Sequence, residues 1–162
     1  MGIIVSYSII LDDNIFKEVE KNINTKISIE DIINLYSDNI ESFTSYVKTW
    51  DSLYFLLYKI SSNKVFLKLR ENHQNAETNE YTKIFSREEV QELFQELQNI
   101  NQEILDSSLN YNNLKQAISE HSGYNMDYIF NMECVLIEFN ELKNAVNKAY
   151  FSNSKLIQIL FP

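Results

Sequence analysis

The sequence predicts an α+β fold, mostly helical, whose small sheet takes strands from both ends of the chain. Three observations lead there. Two Gly and one Pro, the Pro being the last of 162 residues, leave too little turn material for a meander of short strands. Through most of the chain apolar residues recur at steps of three and four, the helical spacing. At the two ends they alternate with a period of two instead, as Ile3, Val5, Tyr7, Ile9 and Leu11 do first and Ile157, Ile159 and Phe161 last.

Taken in order, the first strand runs into Asp12 and Asp13, which suit the positive end of a helix carrying Ile15, Phe16, Val19 and Ile23 at helical spacing. Ser28 followed by Asp31 resembles a capping pair and opens a second short helix through Ile29, Ile32, Ile33 and Tyr36. From Thr49 to Tyr58 the apolar residues surround the helix, Trp50, Leu53, Tyr54, Leu57 and Tyr58 on one stripe and Phe55, Leu56 and Ile60 beside it, so this helix is expected to be buried. Val65 to Leu69 reads as a strand, Glu71 to Glu80 as a polar loop, and Tyr81 to Phe85 as another short strand. Ser86 with Glu89 forms a capping box for a helix that turns Val90, Leu93, Phe94 and Leu97 inward. Asn99 to Glu120 reads as one or two shorter helices, closed off by Gly123. The longest periodic segment follows between Tyr124 and Phe151, with Tyr128, Met132, Val135, Phe139, Leu142, Val146 and Ala149 as its seam, before a turn at Ser152 to Ser154 and a last strand from Leu156 to Phe161.

The length suits one domain spanning residues 1–162, and 44% hydrophobic residues with ten Tyr and ten Phe are enough to fill its interior. Twenty-three acids against fourteen Lys and Arg give a net charge of −9, the wrong sign for nucleic-acid phosphates or an anionic membrane. No run approaches the roughly 20 apolar residues that cross a bilayer, and the first residues lack the basic region of a secretory signal, so a cytoplasmic protein is expected. One Cys excludes an internal disulfide, and two His with one Cys are too few for a zinc site, so no metal or cofactor is expected. The composition sets no oligomeric state.

Three stretches carry a resemblance to a known family: Met1-Gly2-Ile3-Ile4, Trp50-Asp51-Ser52-Leu53-Tyr54-Phe55-Leu56-Leu57, and Phe85-Ser86-Arg87-Glu88-Glu89-Val90. Together with the Phe139 to Leu142 step, the Tyr150-Phe151 pair and the closing strand, the chain resembles the YfbM-like bacterial domains of unknown function. The resemblance implies an α+β domain and supplies no activity. Where that family has a His after its W-D-x-L step, this chain has Tyr54, and Tyr58-Lys59 stands in place of a turn, so no His-based reaction is implied.

Two sets of residues are candidates for function. The first is acidic. Residues 87–141 hold eleven Asp or Glu against Arg87 and Lys115 alone, and Glu88, Glu92 and Glu96 form an i, i+4 row with no Lys among them. Like charges at that spacing cost a helix roughly 0.2 to 0.5 kcal/mol per pair, so such a row is either a solvated face or a docking surface for a basic protein partner. The second set is Trp50, Asp51 and Tyr54, an acid beside an indole on an apolar helix. Asp51 there supports the helix start while Trp50 packs, or the three line a pocket in which the indole stacks on a small molecule. His73 and His121 lack a nucleophile motif nearby, and Cys134 reads as a packing residue. The expectation is therefore a non-enzymatic binding or accessory protein, immunity-like in the sense of holding a basic partner. The alternative is a small-molecule binder or enzyme with its pocket near Trp50, Asp51 and Tyr54.

Overall fold

The computed structural model describes residues 4–23, 25, 27–47, 49–70, 81–110, 112 and 132–161. The expected loop from Glu71 to Glu80 with His73, the end of the Asn99 to Glu120 segment, and His121, Gly123, Tyr124 and Tyr128 lie outside the described residues.

Four antiparallel strands form one sheet in the order β2-β1-β4-β3: β1 is Ile4–Ile10, β2 Ile40–Ser45, β3 Tyr81–Phe85 and β4 Leu156–Phe161. The strands from the two ends of the chain are thus its central pair, with Tyr7 opposite Gln158 and Ile9 opposite Leu156. Alternation along β1 sends Val5, Tyr7 and Ile9 to one face and Ser6 and Ser8 to the other. Those two buried hydroxyls are paired across the ladder, Ser6 with Thr44 at 2.9 Å and Ser8 with Ser42 at 2.8 Å. β2 was not expected, because Ile40-Glu41-Ser42-Phe43-Thr44-Ser45 offers no apolar alternation; its other face toward β1 is hydroxyl-rich, and the strand holds by hydroxyl pairs and backbone ladder.

Two helices cover the Ser6 and Ser8 face. α1 (Asp13–Asn22) starts at Asp12, whose carboxylate accepts from the amides of Asn14 and Ile15, and α2 (Ile29–Leu35) starts at Ser28, which accepts from the amide of Asp31. Phe16, Val19, Ile29, Ile32 and Ile33 pack there against Ile10, Ile157 and Ile159. The opposite face carries the larger core, under α3 (Trp50–Ser61), α4 (Val65–Arg70), α5 (Arg87–Gln98), α6 (Gln102–Ser108) and α7 (Met132–Phe151). α3 is buried as its composition requires, from Trp50 through Leu57 without a break. The capping box of α5 is complete, Ser86 accepting from the Glu89 amide and Glu89 from the Ser86 amide.

One element differs in kind from expectation: Val65 to Leu69 is helix, not strand. Its short V-F-L-K-L run fits both periods, and the turn before it decides. Ser62 ends α3 in the left-handed region at φ 59°, and the Asn63 side chain then accepts from the amide of Val65 at 2.9 Å, starting a new helical turn. Val65, Phe66 and Leu69 consequently fall on one buried side.

Candidate functional site

A polar stripe crosses the larger core. Tyr7 on β1, Gln158 on β4 and Lys83 on β3 are register partners in neighbouring strands, and all three are buried. Above them lie Asp51 and Tyr54 of α3, one turn apart, together with Arg70 of α4 and Glu138 of α7. Gln158 Nε2 donates to the Tyr54 hydroxyl at 2.9 Å and to the Leu69 carbonyl at 3.2 Å. The Tyr54 and Tyr7 hydroxyls are hydrogen-bonded to each other, and Tyr7 donates to Glu138 Oε1 at 3.0 Å. Direction follows from counting protons. Against the carboxylate Tyr7 uses its one O–H on Glu138, so the proton between the two phenols is then Tyr54's, whose oxygen also accepts from Gln158. Lys83 Nζ donates to the Lys68 carbonyl, closing the other end of the stripe.

Burial governs the charges here. Glu138 is fully buried, and burial pushes its carboxyl up to about 7, with the neighbouring Glu141 charge adding to the rise and the Ser45 and Tyr7 hydroxyls opposing it. The Ser45 hydroxyl acts on that carboxyl as a hydrogen-bond donor outside ordinary geometry, and Gln158 Oε1 has no donor. Burial, followed by the adjoining hydroxyl and carboxyl, holds the Tyr7 phenol well above its usual range; for Tyr54 burial comes first and the Glu138 charge next. Both tyrosines are therefore neutral hydrogen-bond relays. Asp51, by contrast, has a cation: Arg70 Nε and Nη2 reach its two oxygens at 2.9 and 3.2 Å in a two-point pair, and the guanidinium also lies 5.1 Å from the Phe55 ring centre.

The Trp50, Asp51 and Tyr54 set is thus brought to one place but with altered roles. Trp50 is buried and meets the Tyr54 ring at a tilted 5.8 Å, Asp51 pairs with Arg70, and Tyr54 is the middle of the hydrogen-bond chain. Thr49, before the helix, donates to the Cys134 carbonyl of α7 at 3.2 Å, and makes no cap with its side chain. Sequence reasoning missed Glu138 and Gln158. Both left a signal: Glu138 sits three residues after Val135 and four before Leu142, an acid on the inward seam of its helix, and Gln158 interrupts the apolar run Leu156-Ile157-Gln158-Ile159-Leu160.

The acidic row lies elsewhere, on the outer side of α5. Glu88 and Glu92 are exposed and Glu96 is half-buried. Asn63 Nδ2 donates to Glu92 at 3.0 Å and to Glu96 at 3.2 Å, and the Ser86 hydroxyl, ahead of its own amide, holds the Glu88 carboxyl below the usual range. Among the described residues no Lys or Arg forms an ion pair with any of the three, because Lys68 goes to Glu89 at 2.6 Å and Arg70 to Asp51. The other flank of α5 is aromatic. Phe94 stacks on Tyr150 of α7 with ring centres 3.8 Å apart and planes within 6°, and Phe151 meets both edge-on while 77% exposed.

Fold and site together define an α+β domain with helices on both faces of a four-stranded antiparallel sheet and an ionisable network inside it. The family model described as Domain of unknown function (DUF1877) matches residues 1–159, and the chain belongs to that family. Among solved structures it is similar to YfbM from Escherichia coli, a protein of unknown function, at a TM-score of 0.64 and 14% identity over 98% of this chain and 99% of that one. At that identity the likeness concerns the fold, and it agrees with the YfbM-like resemblance of the sequence. A comparison with curated proteins finds no match. Among the described residues no helix is long and apolar enough to cross a membrane, and no group of His, Cys, Asp and Glu is arranged to hold a metal ion.

Proposed function

We propose that the protein is a binding protein whose outer α5 surface, with the end of α7, takes a basic protein partner. The observation that carries this reading is the uncancelled row of Glu88, Glu92 and Glu96 beside an exposed aromatic cluster. The two cations of α4, Lys68 and Arg70, go to Glu89 and Asp51 instead. Asn63 orients Glu92 and Glu96 without neutralising them. A large aromatic anchor bordered by charge is the composition that interfaces favour over ordinary surface, and a complementary field speeds encounter. The partner that fits offers Lys or Arg along one edge and an apolar side chain for Phe151.

Fluorescence anisotropy with a panel of Lys/Arg-rich amphipathic peptides tests this. A peptide that binds is expected to lose affinity steeply as salt rises from 50 to 300 mM, and to lose at least tenfold with the E88K/E92K/E96K variant or with F151A, the range of a lost hot spot. Binding indifferent to charge reversal at all three positions would remove the electrostatic basis.

A second reading is favoured by the unpartnered acceptors Glu138 Oε2 and Gln158 Oε1: a small polar molecule bearing N–H or O–H donors, held near Trp50, Asp51 and Tyr54. Quenching of the lone tryptophan by one member of a panel of polar metabolites is its expected sign, and an unchanged emission across the panel counts against it.

A further inference from the structure

We propose that the β2 edge of the sheet is a self-association surface: two copies of this chain pair strand β2 antiparallel about a twofold axis at Phe43, joining their sheets into one. This goes beyond the partner-binding reading and does not depend on it.

The two edges of the sheet are defended differently. A strand edge is a template for any other chain, and proteins blunt it with lysine, proline, a bulge or an inward-pointing charge. β3 has such a device in Lys83, a buried cation at its centre that donates to the Lys68 carbonyl. β2 has none. Its six residues contain no Lys, Arg or Pro, its register with β1 runs unbroken from Ser45 to Ile40, and its single charge, Glu41, pairs with Lys148 of α7 at 2.7 Å. Glu41 and Ser42 are exposed, and among the described residues β1 is the one strand that pairs with β2.

The occupant follows from register. Antiparallel strands related by a twofold axis oppose residues at equal distances from that axis, and like faces meet. An axis at Glu41 sets two carboxylates together. One at Ser42 sets Glu41 on Phe43 and Asp38 on Tyr46, and one at Thr44 sets Glu41 on Val47 and Phe43 on Ser45. With the axis at Phe43, aromatic meets aromatic, Glu41 meets Ser45, Ser42 meets Thr44 and Ile40 meets Tyr46, so no charge falls on a like charge or on an apolar side chain. The strand is thus complementary to itself in this register and in none of its neighbours.

Two features of the single chain fit the same pairing. Ser42 and Thr44 already bond Ser8 and Ser6 of β1 at 2.8 and 2.9 Å, and each hydroxyl keeps capacity for a further bond. Setting Thr44 against Ser42 of the second copy extends these pairs into a hydroxyl row that crosses the interface. Tyr46, one residue past the strand, is 71% exposed. Opposite Ile40, which packs at the margin of the smaller core, its ring is covered.

Sedimentation velocity of the full chain from about 1 to about 200 μM is the first test, and a dimer whose fraction grows with concentration is expected. Each copy carries −9, so added salt strengthens this dimer, the opposite of its effect on binding of a basic partner. Y46K, at a side chain too exposed to hold the single chain together, is expected to weaken the dimer at least tenfold. Register is read by a short bismaleimide in a C134S background: I40C and Y46C chains are expected to cross-link when mixed and not when either is alone. Should I40C fail to fold, F43C cross-linking to itself while L35C does not reads the same axis. A chain that stays monomeric throughout overturns the proposal, as does a dimer that Y46K leaves unweakened or one that lacks these cross-links. A monomer whose 40–45 amides gain protection from exchange only with an added basic peptide gives the edge to another partner and overturns it equally.

Discussion

Glu138 binds its proton more tightly in the folded chain than in the unfolded one, and that difference is a stability term with a definite sign. Its carboxyl titrates near 4.5 when exposed and at about 7 in the fold. Between those values the folded state holds more protons, so stability from this group is fully present below about pH 4.5, falls as pH rises, and is lost above about 7. The whole effect is about 3 kcal/mol at 1.36 kcal/mol per pH unit. Glu138→Gln is therefore expected to stabilise the protein by a comparable amount at pH 8 and by little at pH 4.5, as urea unfolding at both values will read out. A gap of the same size at both would mean that Glu138 carries no such term. At this scale the sequence showed which side chains are unusual but not which of them meet. Asp51 and Tyr54 stood out beside Trp50, whereas their partners Arg70, Tyr7, Glu138 and Gln158 are 16 to 104 positions away from Tyr54, and only the sheet register and the seating of α7 bring them together. An acid on an inward helical seam was legible; its neighbours were not.

Elements were legible where one physical signal dominated. Asp12, Ser28 and Ser86 each announce a helix start, and each accepts the amide bonds that its type and spacing require. β1 and β4 were legible because their apolar residues alternate, and β3 because five residues between polar flanks are rich in aromatic and β-branched side chains. The failures came where two signals compete. β2 is an edge strand whose buried contacts with β1 are hydroxyl to hydroxyl, so no hydrophobic alternation marks it. α4 is six residues long, shorter than the window in which the two periods separate, and its state is set by the left-handed Ser62 and the Asn63 turn just upstream. The acidic row on α5 was legible as a row, but its isolation from the Lys and Arg of α4 depends on which carboxylates those cations reach, and that is a tertiary fact.

At the scale of the whole molecule the sheet divides the interior in two. Val5, Tyr7, Ile9, Leu156 and Leu160 face α3, α5 and α7, while Ile10, Ile157 and Ile159 face α1 and α2. Adjacent residues of β4 thus belong to different cores, and packed layers lie about 10 Å apart across a sheet. Side chains at that separation, sharing no partner, contribute independently to stability, whereas those touching within one core do not. Ile29→Val in the smaller core is expected to cost about 0.5 to 1.5 kcal/mol and Leu142→Ala in the larger about 2 to 5 kcal/mol, both sites being essentially without solvent exposure. The double variant should lose their sum to within about 0.5 kcal/mol, measured by urea unfolding under one set of conditions. A coupling well beyond that, of either sign, would show that strain passes through the β1 and β4 pair from one core to the other. The sheet would then be a transmitter between its two faces, and movement of α7 would be felt under α1 and α2.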